Sequence, residues 1–183
     1  MKRLAASLLI VLMAAFVAGA APPRTEEYWP DGPAADNRSD FVERLLDLHN
    51  RERTRIGQPP LTWDAQLAEH AQAWARELAA RDAFEHSQPA TRPGEGENLW
   101  RGTAGAYSLE EMVGHFLDER RDFRRGIFPQ VARDGDWRRI AHYTQMIWPA
   151  TRTVGCAMAS RRGTDYLVCR YAPAGNVVGQ RVP

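Results

Sequence analysis

Five histidines (His49, His70, His86, His115 and His142) and two cysteines (Cys156 and Cys169) are the residues of this 183-residue chain best suited to chemistry. A neutral imidazole ligates metals through one ring nitrogen, and near neutral pH it also moves protons. The compact signatures of a hydrolytic nucleophile are missing. The chain has no Gly-x-Ser-x-Gly elbow, no His-Glu-x-x-His zinc helix and no third cysteine left as a free thiol. Ser87, beside His86, is the one hydroxyl worth testing as a nucleophile, and a turn or helix-cap role explains it more simply.

The N-terminus predicts the compartment. Lys2 and Arg3 precede an apolar run from Leu4 to Val17, broken only by Ser7, and Ala18-Gly19-Ala20 supplies a small-x-small cleavage pattern. Residues 1–20 therefore read as a signal peptide. The apolar run is short for a hydrocarbon layer of about 30 Å, so an uncleaved anchor is the weaker reading. The expectation is a soluble mature chain from Ala21, secreted or periplasmic, with no transmembrane anchor after cleavage. Lys2 and Arg3 are two of 24 basic residues set against 23 acidic ones, so the exported part is close to neutral. It has no broad positive field for a phosphate backbone, and nucleic acid is excluded as a partner. In an exported chain, Cys156 and Cys169 most simply form one disulfide, two isolated thiols being the alternative.

About 160 mature residues suit one domain with one core. Residues 21–38, with Pro22-Pro23 and Asp31-Gly32-Pro33, read as a polar leader, and residues 39–183 as the folded domain. Asp40 and Glu43 have capping-box spacing, and Phe41, Leu45 and Leu48 open a helical period that runs to about Arg55. A second helix, capped by Asp64, runs to about Ala80. Ser87 to Gly105 is rich in Gly, Pro and Thr and reads mostly as loop. Ser108 and Glu111 open a third helix as a capping box. Residues 143–148, 153–158 and 166–171 then read as strands. Pairing Cys156 with Cys169 centres a hairpin between Arg162 and Gly163, where the turn chemistry already lies. Closing so short a loop stabilises by about 3 kcal/mol in the chain-entropy model. Helices first and strands afterwards predict an α+β layered domain.

The run Ala141-His142-Tyr143-Thr144-Gln145-Met146-Ile147-Trp148 is the most informative stretch. It resembles the G-H-Y-T-Q-x-x-W signature of the CAP superfamily, which includes cysteine-rich secretory proteins, venom allergens and pathogenesis-related plant proteins. Val154-Gly155-Cys156 follows at the family's usual distance, and a second signature spans Tyr166 to Asn176. Upstream, His49-Asn50-Arg51-Glu52-Arg53, Leu61-Thr62-Trp63 and Gly96-Glu97-Asn98-Leu99 match further family segments in order. The resemblance implies a three-layer α-β-α sandwich with a central, mainly antiparallel sheet. It also implies a surface cleft lined by His86, Glu97, Glu119 and His142. Three departures stand out: Phe116 where tryptophan is usual, and Ala141 and Ala157 where glycine is. The style of the signal suggests a bacterial source.

Within such a cleft, His86 and His142 are the candidate metal ligands, for Zn2+ or another divalent ion, and Glu97 and Glu119 the candidate acid–base groups. Two protein ligands fall short of the three usual in catalytic zinc sites. Without metal, each histidine pairs with a glutamate, as a proton-transfer unit or as a buried polar network. His49 reads as a buried structural hydrogen-bonding group, and His70 and His115 as ordinary helix residues. Trp63, Trp74, Trp100 and Trp148 read as core, with Trp100 an alternative groove wall. Arg120 to Arg125 reads as a solvated helix end. Three functions compete. The first is a monomeric binding module for a sterol, a lipid or an extracellular protein, with Ile127, Phe128 and Trp137 as apolar candidates. The second is a metal-assisted hydrolase or peptidase. The third is a structural envelope protein with a vestigial cleft.

Overall fold

The computed structural model describes residues 35–183. The expected signal peptide (1–20) and most of the expected leader lie outside the described residues. Helix α1 spans Ala35–Arg55, so helix already covers the last four positions assigned to the leader. Asp40 is consequently an interior residue, not a cap, and its carboxylate meets Arg44 one turn on at 3.2 Å. The helix stops where expected, with Gly57 in the left-handed region at φ +75°.

A short strand β1 (Thr62–Trp63) leads into helix α2 (Ala65–Arg81). Asp64 caps α2 as its position predicts, its side chain accepting from the backbone N–H of Gln66 and Leu67 at 2.9 and 3.0 Å. Helix α3 (Leu109–Asp118) opens with both halves of the Ser108/Glu111 capping box. Strands β4 (Thr153–Arg161) and β5 (Thr164–Ala172) form the predicted hairpin. Arg162 and Gly163 at its tip both have positive φ, as a two-residue type I′ turn requires. Cys156 faces Cys169 in the ladder and is bonded to it, with Cα atoms 4.1 Å apart.

Two segments depart from expectation. Gly96–Thr103 is strand β2, paired with β5 over eight consecutive positions from Gly96↔Tyr171 to Thr103↔Thr164. Its glycines hid it from a propensity reading, yet Gly96 makes room for the Gln145 side chain, whose Oε1 would stand 2.0 Å from a Cβ there and would have to move. Residues 143–148 are not a strand either; Ala141–Met146 form a short helix, α4. Tertiary contacts override the β-favouring side chains. The buried Arg53 guanidinium donates to the carbonyls of Met146 and Trp148 at 3.0 Å each and of Thr151 at 3.2 Å, satisfying the helix end.

The main sheet runs β1-β4-β5-β2, with β1 parallel to β4 and the other pairings antiparallel. The three-layer, mainly antiparallel α+β arrangement is thus the observed fold. Helix α2 covers one face through Ala71, Ala75 and Leu78 against Leu99, Ala157 and Val168. Its fit is close, since a Cβ on Gly155 would lie 2.2 Å from the Ala68 nitrogen. Helices α1, α3 and α4 cover the other face with Leu45, Val113, Phe116, Tyr143 and Met146. Strand β2 is left as one edge of the sheet, with β1 the other. A two-stranded ribbon, β3 (Gly126–Ile127) with β6 (Arg181–Val182), closes the domain. Among the described residues no helix is long and apolar enough to cross a membrane.

Candidate functional site

Side chains alternate along β2, which sets the face on which Glu97, one of the four residues expected to line a cleft, is found. Leu99 packs into the α2 layer and Trp100 into the opposite one, so Glu97 shares the α2 face while Gly96 and Asn98 share the other.

On the α2 face, His86 comes from the loop that follows α2. Its Nδ1 lies 2.7 Å from Glu97 Oε1. The Glu97 carboxylate is fully buried, whereas the His86 side chain is 54% exposed. Three further donors converge on the carboxylate: the Ser87 backbone N–H at 3.0 Å, the Ser87 hydroxyl at 2.9 Å and an Arg170 Nη2 at 3.0 Å. Burial alone would raise this carboxyl's pKa. The bonds from His86 and Ser87, with the Arg170 charge, outweigh it and hold the group below the usual carboxylate range. Ser87 is buried, gives its hydroxyl proton to Glu97 and accepts from Arg170 at 3.0 Å. It therefore has the structural role, not that of a nucleophile. Arg170 continues the network to Glu95 at 3.1 Å, and Glu95 meets His70 Nδ1 at 2.7 Å. His70 is thus more than the ordinary helix residue its sequence position implied.

On the other face, Glu119 directly follows α3 and His142 is the second residue of α4. His142 Nδ1 lies 2.5 Å from Glu119 Oε1, and the Tyr143 backbone N–H donates to Glu119 Oε2 at 2.9 Å. Phe116, the departure from the family's usual tryptophan, stacks on the His142 ring with centroids 4.9 Å apart and planes at 19°. The His142 backbone is fixed in turn by Asn98, whose Nδ2 donates to its carbonyl at 3.1 Å. Asn98 also donates to the Tyr171 hydroxyl, and that hydroxyl donates to His49 Nε2 at 2.9 Å. The Leu45 carbonyl accepts from His49 Nδ1 at 2.7 Å, which fixes the neutral tautomer. Burial lowers the His49 pKa to about 4. His49 is structural, as its sequence reading held. Trp100 is core, its indole N–H donating to His115 Nδ1 at 3.0 Å.

The structure thus brings the four predicted residues together two by two. Among the described residues, no three His, Cys, Asp or Glu side chains lie so as to hold a metal ion. Each pair leaves its imidazole Nε2 without a hydrogen-bond partner among the described residues. A carboxylate on Nδ1 is also the arrangement that orients metal-binding histidines. Of the four residues predicted from sequence, two thus supply such a nitrogen, and His70 on Glu95 has the same arrangement.

Sequence reasoning missed one group. Glu52 of α1 sits among Arg51, Arg53 and Arg55 and looks like part of a solvated face. Its side chain is only 6% exposed. The available signal was positional, because Glu52 continues the Leu45–His49–Ile56 stripe that faces the core.

The family pattern for the cysteine-rich secretory protein family (CAP) matches residues 46–171. Pathogenesis-related protein 1B of Nicotiana tabacum is 35% identical over 136 residues, 74% of this chain and 76% of that protein. GLIPR1-like protein 1 of Bos taurus is 32% identical over 167 residues, covering 80% and 64%. Secreted protein RBT4 of Candida albicans is 34% identical over 143 residues, but this chain spans only 36% of its length. Among solved structures, that of NaASP2 with Zn2+ superposes with a TM-score of 0.65 over 82% of this chain and 86% of that one, at 23% identity.

Proposed function

This chain belongs to the cysteine-rich secretory protein (CAP) family, and we propose that it is exported and acts outside the cytoplasm as a monomeric binding module for an apolar ligand with a polar head, such as a fatty acid or a sterol. One observation carries the reading: two carboxylate-oriented imidazoles, His86 and His142, stand part-exposed on either side of the edge strand. Export rests on the N-terminal signal pattern and on relatives such as the one named a secreted protein.

An apolar surface adjoins one of these imidazoles. Asn176 donates to the carbonyl of Ala141, the residue before His142, at 2.9 Å. Val177 and Val178 follow it, both exposed, and the backbone of Phe128 pairs with Gly179 and Gln180 beside exposed Ile127. Of the other apolar candidates from sequence, Phe128 is buried in the core and Trp137 is half-buried against it. A hydroxyl or carboxylic acid head donating its proton to His142 Nε2, with its chain on the Ile127–Val178 surface, is the arrangement we favour. Tryptophan-fluorescence titration with palmitate and with cholesterol in detergent is the test. Saturable binding, weakened about tenfold in the His86→Ala/His142→Ala double variant, is expected. No saturable signal up to high micromolar ligand, or unchanged affinity in the double variant, overturns it.

Divalent-metal binding is a second reading, favoured by the carboxylate on each Nδ1. His86 and His142 would supply the ligands through Nε2, and the metal would offer Lewis acidity to a bound group. With no group of three ligating side chains among the described residues, binding would be weak. Calorimetric zinc titration of wild type and His142→Ala distinguishes it, and chelator-sensitive turnover would be needed for any hydrolase. A purely structural cleft predicts lower melting temperature in the histidine variants and no change in binding.

A further inference from the structure

Two residues adjacent to the His142–Glu119 pair turn away from it toward one buried acid. The Glu52 carboxylate accepts from Arg55 Nε at 2.8 Å and Arg55 Nη2 at 2.7 Å. It also accepts from Arg120 Nη1 at 3.1 Å and from the Tyr143 hydroxyl at 2.7 Å. Arg120 follows Glu119 in the chain, and Tyr143 follows His142. Tyr143 closes a ring, because its backbone N–H donates to Glu119 Oε2 at 2.9 Å. Both ends of Tyr143 are therefore held by carboxylates, one from α1 and one from the residue after α3. Burial favours the neutral form of Glu52, but Arg55 and Tyr143 hydrogen bonds and the Arg120 charge prevail and keep it ionised.

We infer that Glu52 is a positioning residue for the His142–Glu119 pair: through Tyr143 and Arg120 it fixes where the Glu119 carboxylate sits, and so which nitrogen His142 presents. The inference rests on the reading of His142 as a ligand-facing group and adds what sets its orientation. Without the Glu52 charge, the Arg120 guanidinium loses its partner one residue from Glu119 and can compete with His142 for that carboxylate. The His86–Glu97 pair has none of these partners, as its carboxylate is bound by Ser87 and Arg170. It is the internal control.

The test is two-dimensional 15N–1H NMR of the imidazole rings in the ligand-free protein, above the pH at which the rings are charged. The wild type is expected to show both His86 and His142 protonated at Nδ1, the form a carboxylate on that nitrogen selects. In Glu52→Gln, the His142 signals move toward the Nε2-protonated form while those of His86 stay. Tyr143→Phe, which removes only the hydroxyl and keeps the backbone bond to Glu119, gives the same displacement at smaller amplitude. His142 signals unmoved in both variants, or His86 moving as far as His142, overturn the inference. Should Glu52→Gln fail to fold, Tyr143→Phe alone decides by the same criterion. No ligand is involved, so a wild type that binds neither palmitate nor cholesterol would sink the proposed function and leave this result standing.

Discussion

The same bond, imidazole Nδ1 to a glutamate oxygen, is built by different means on the two faces of β2. Glu97 is wholly buried and neutralised by a buried cation, Arg170, while its histidine stands well out in solvent. Glu119 is 16% exposed, and its carboxylate meets the His142 ring. It is placed by a backbone N–H, and its histidine is held by the Phe116 ring. One pair is fixed through its carboxylate by electrostatics, the other through its imidazole by packing. The two should therefore fail under different insults.

The largest difference is expected at Arg170. Arg170→Met strands Glu97 and Glu95 without their cation, and removing one partner of a buried pair costs about 3–5 kcal/mol. Urea denaturation measures the loss, and the His86 ring signals should broaden or shift while those of His142 hold. A stability change under about 1 kcal/mol would mean that the buried charges are compensated in another way.

Acid should separate the two faces next. His49, linked through Tyr171 and Asn98 to the His142 backbone, has a folded pKa of about 4 against an ordinary value near 6.5. The unfolded chain therefore binds a proton that the folded one excludes. Stability from this group is complete above pH 6.5 and falls as pH drops toward 4, by roughly 3 kcal/mol in all. Glu97 acts lower. Its folded pKa is depressed, so its contribution is intact above the ordinary carboxylate range and is lost only as pH falls below it. Denaturation midpoints measured from pH 7 to pH 3 should decline in two stages, and His49→Gln should flatten the upper one only. A single decline confined below pH 4 would contradict the His49 assignment.

Phe116→Leu tests packing directly. A smaller, non-planar side chain in that position should cost about 1–2 kcal/mol and free the His142 ring, with the His86 signals unchanged. Equal disturbance of both rings would show that the pairs are coupled through β2.

How much of this could be read from residues alone follows the same division. Caps and turns are local, and Asp64, Ser108 and Arg162-Gly163 announced α2, α3 and the hairpin because the donors they satisfy lie within a few residues. Strand β2 and helix α4 were misjudged because their causes are remote. Gly96 is dictated by Gln145, and α4 is finished by Arg53 from another helix. His86, Glu97, Glu119 and His142 were singled out by resemblance to motifs, and no spacing rule would have paired Glu119 with His142. Glu52 was lost among arginines, since a charge on a core-facing stripe resembles a surface charge until its partners are known.

An effect no larger than that of Phe116→Leu is expected at Ser87, and it bears most on mechanism. Ser87→Ala removes a hydroxyl that donates to Glu97 and accepts from Arg170, both of which keep other partners. Losing a hydrogen bond to a charged group that remains otherwise satisfied should cost about 1–2 kcal/mol. The Ser87 backbone N–H still donates to Glu97, so the carboxylate and with it the His86 ring should hold their place. Palmitate affinity should then stay within about twofold of wild type, because each tenfold change needs about 1.4 kcal/mol at the ligand itself. A nucleophile would behave in the opposite way, leaving stability nearly intact while any turnover vanished. Thermal melts and the same fluorescence titration on this one variant decide between them, and a stable protein stripped of an activity the wild type possesses would overturn the structural role assigned to Ser87.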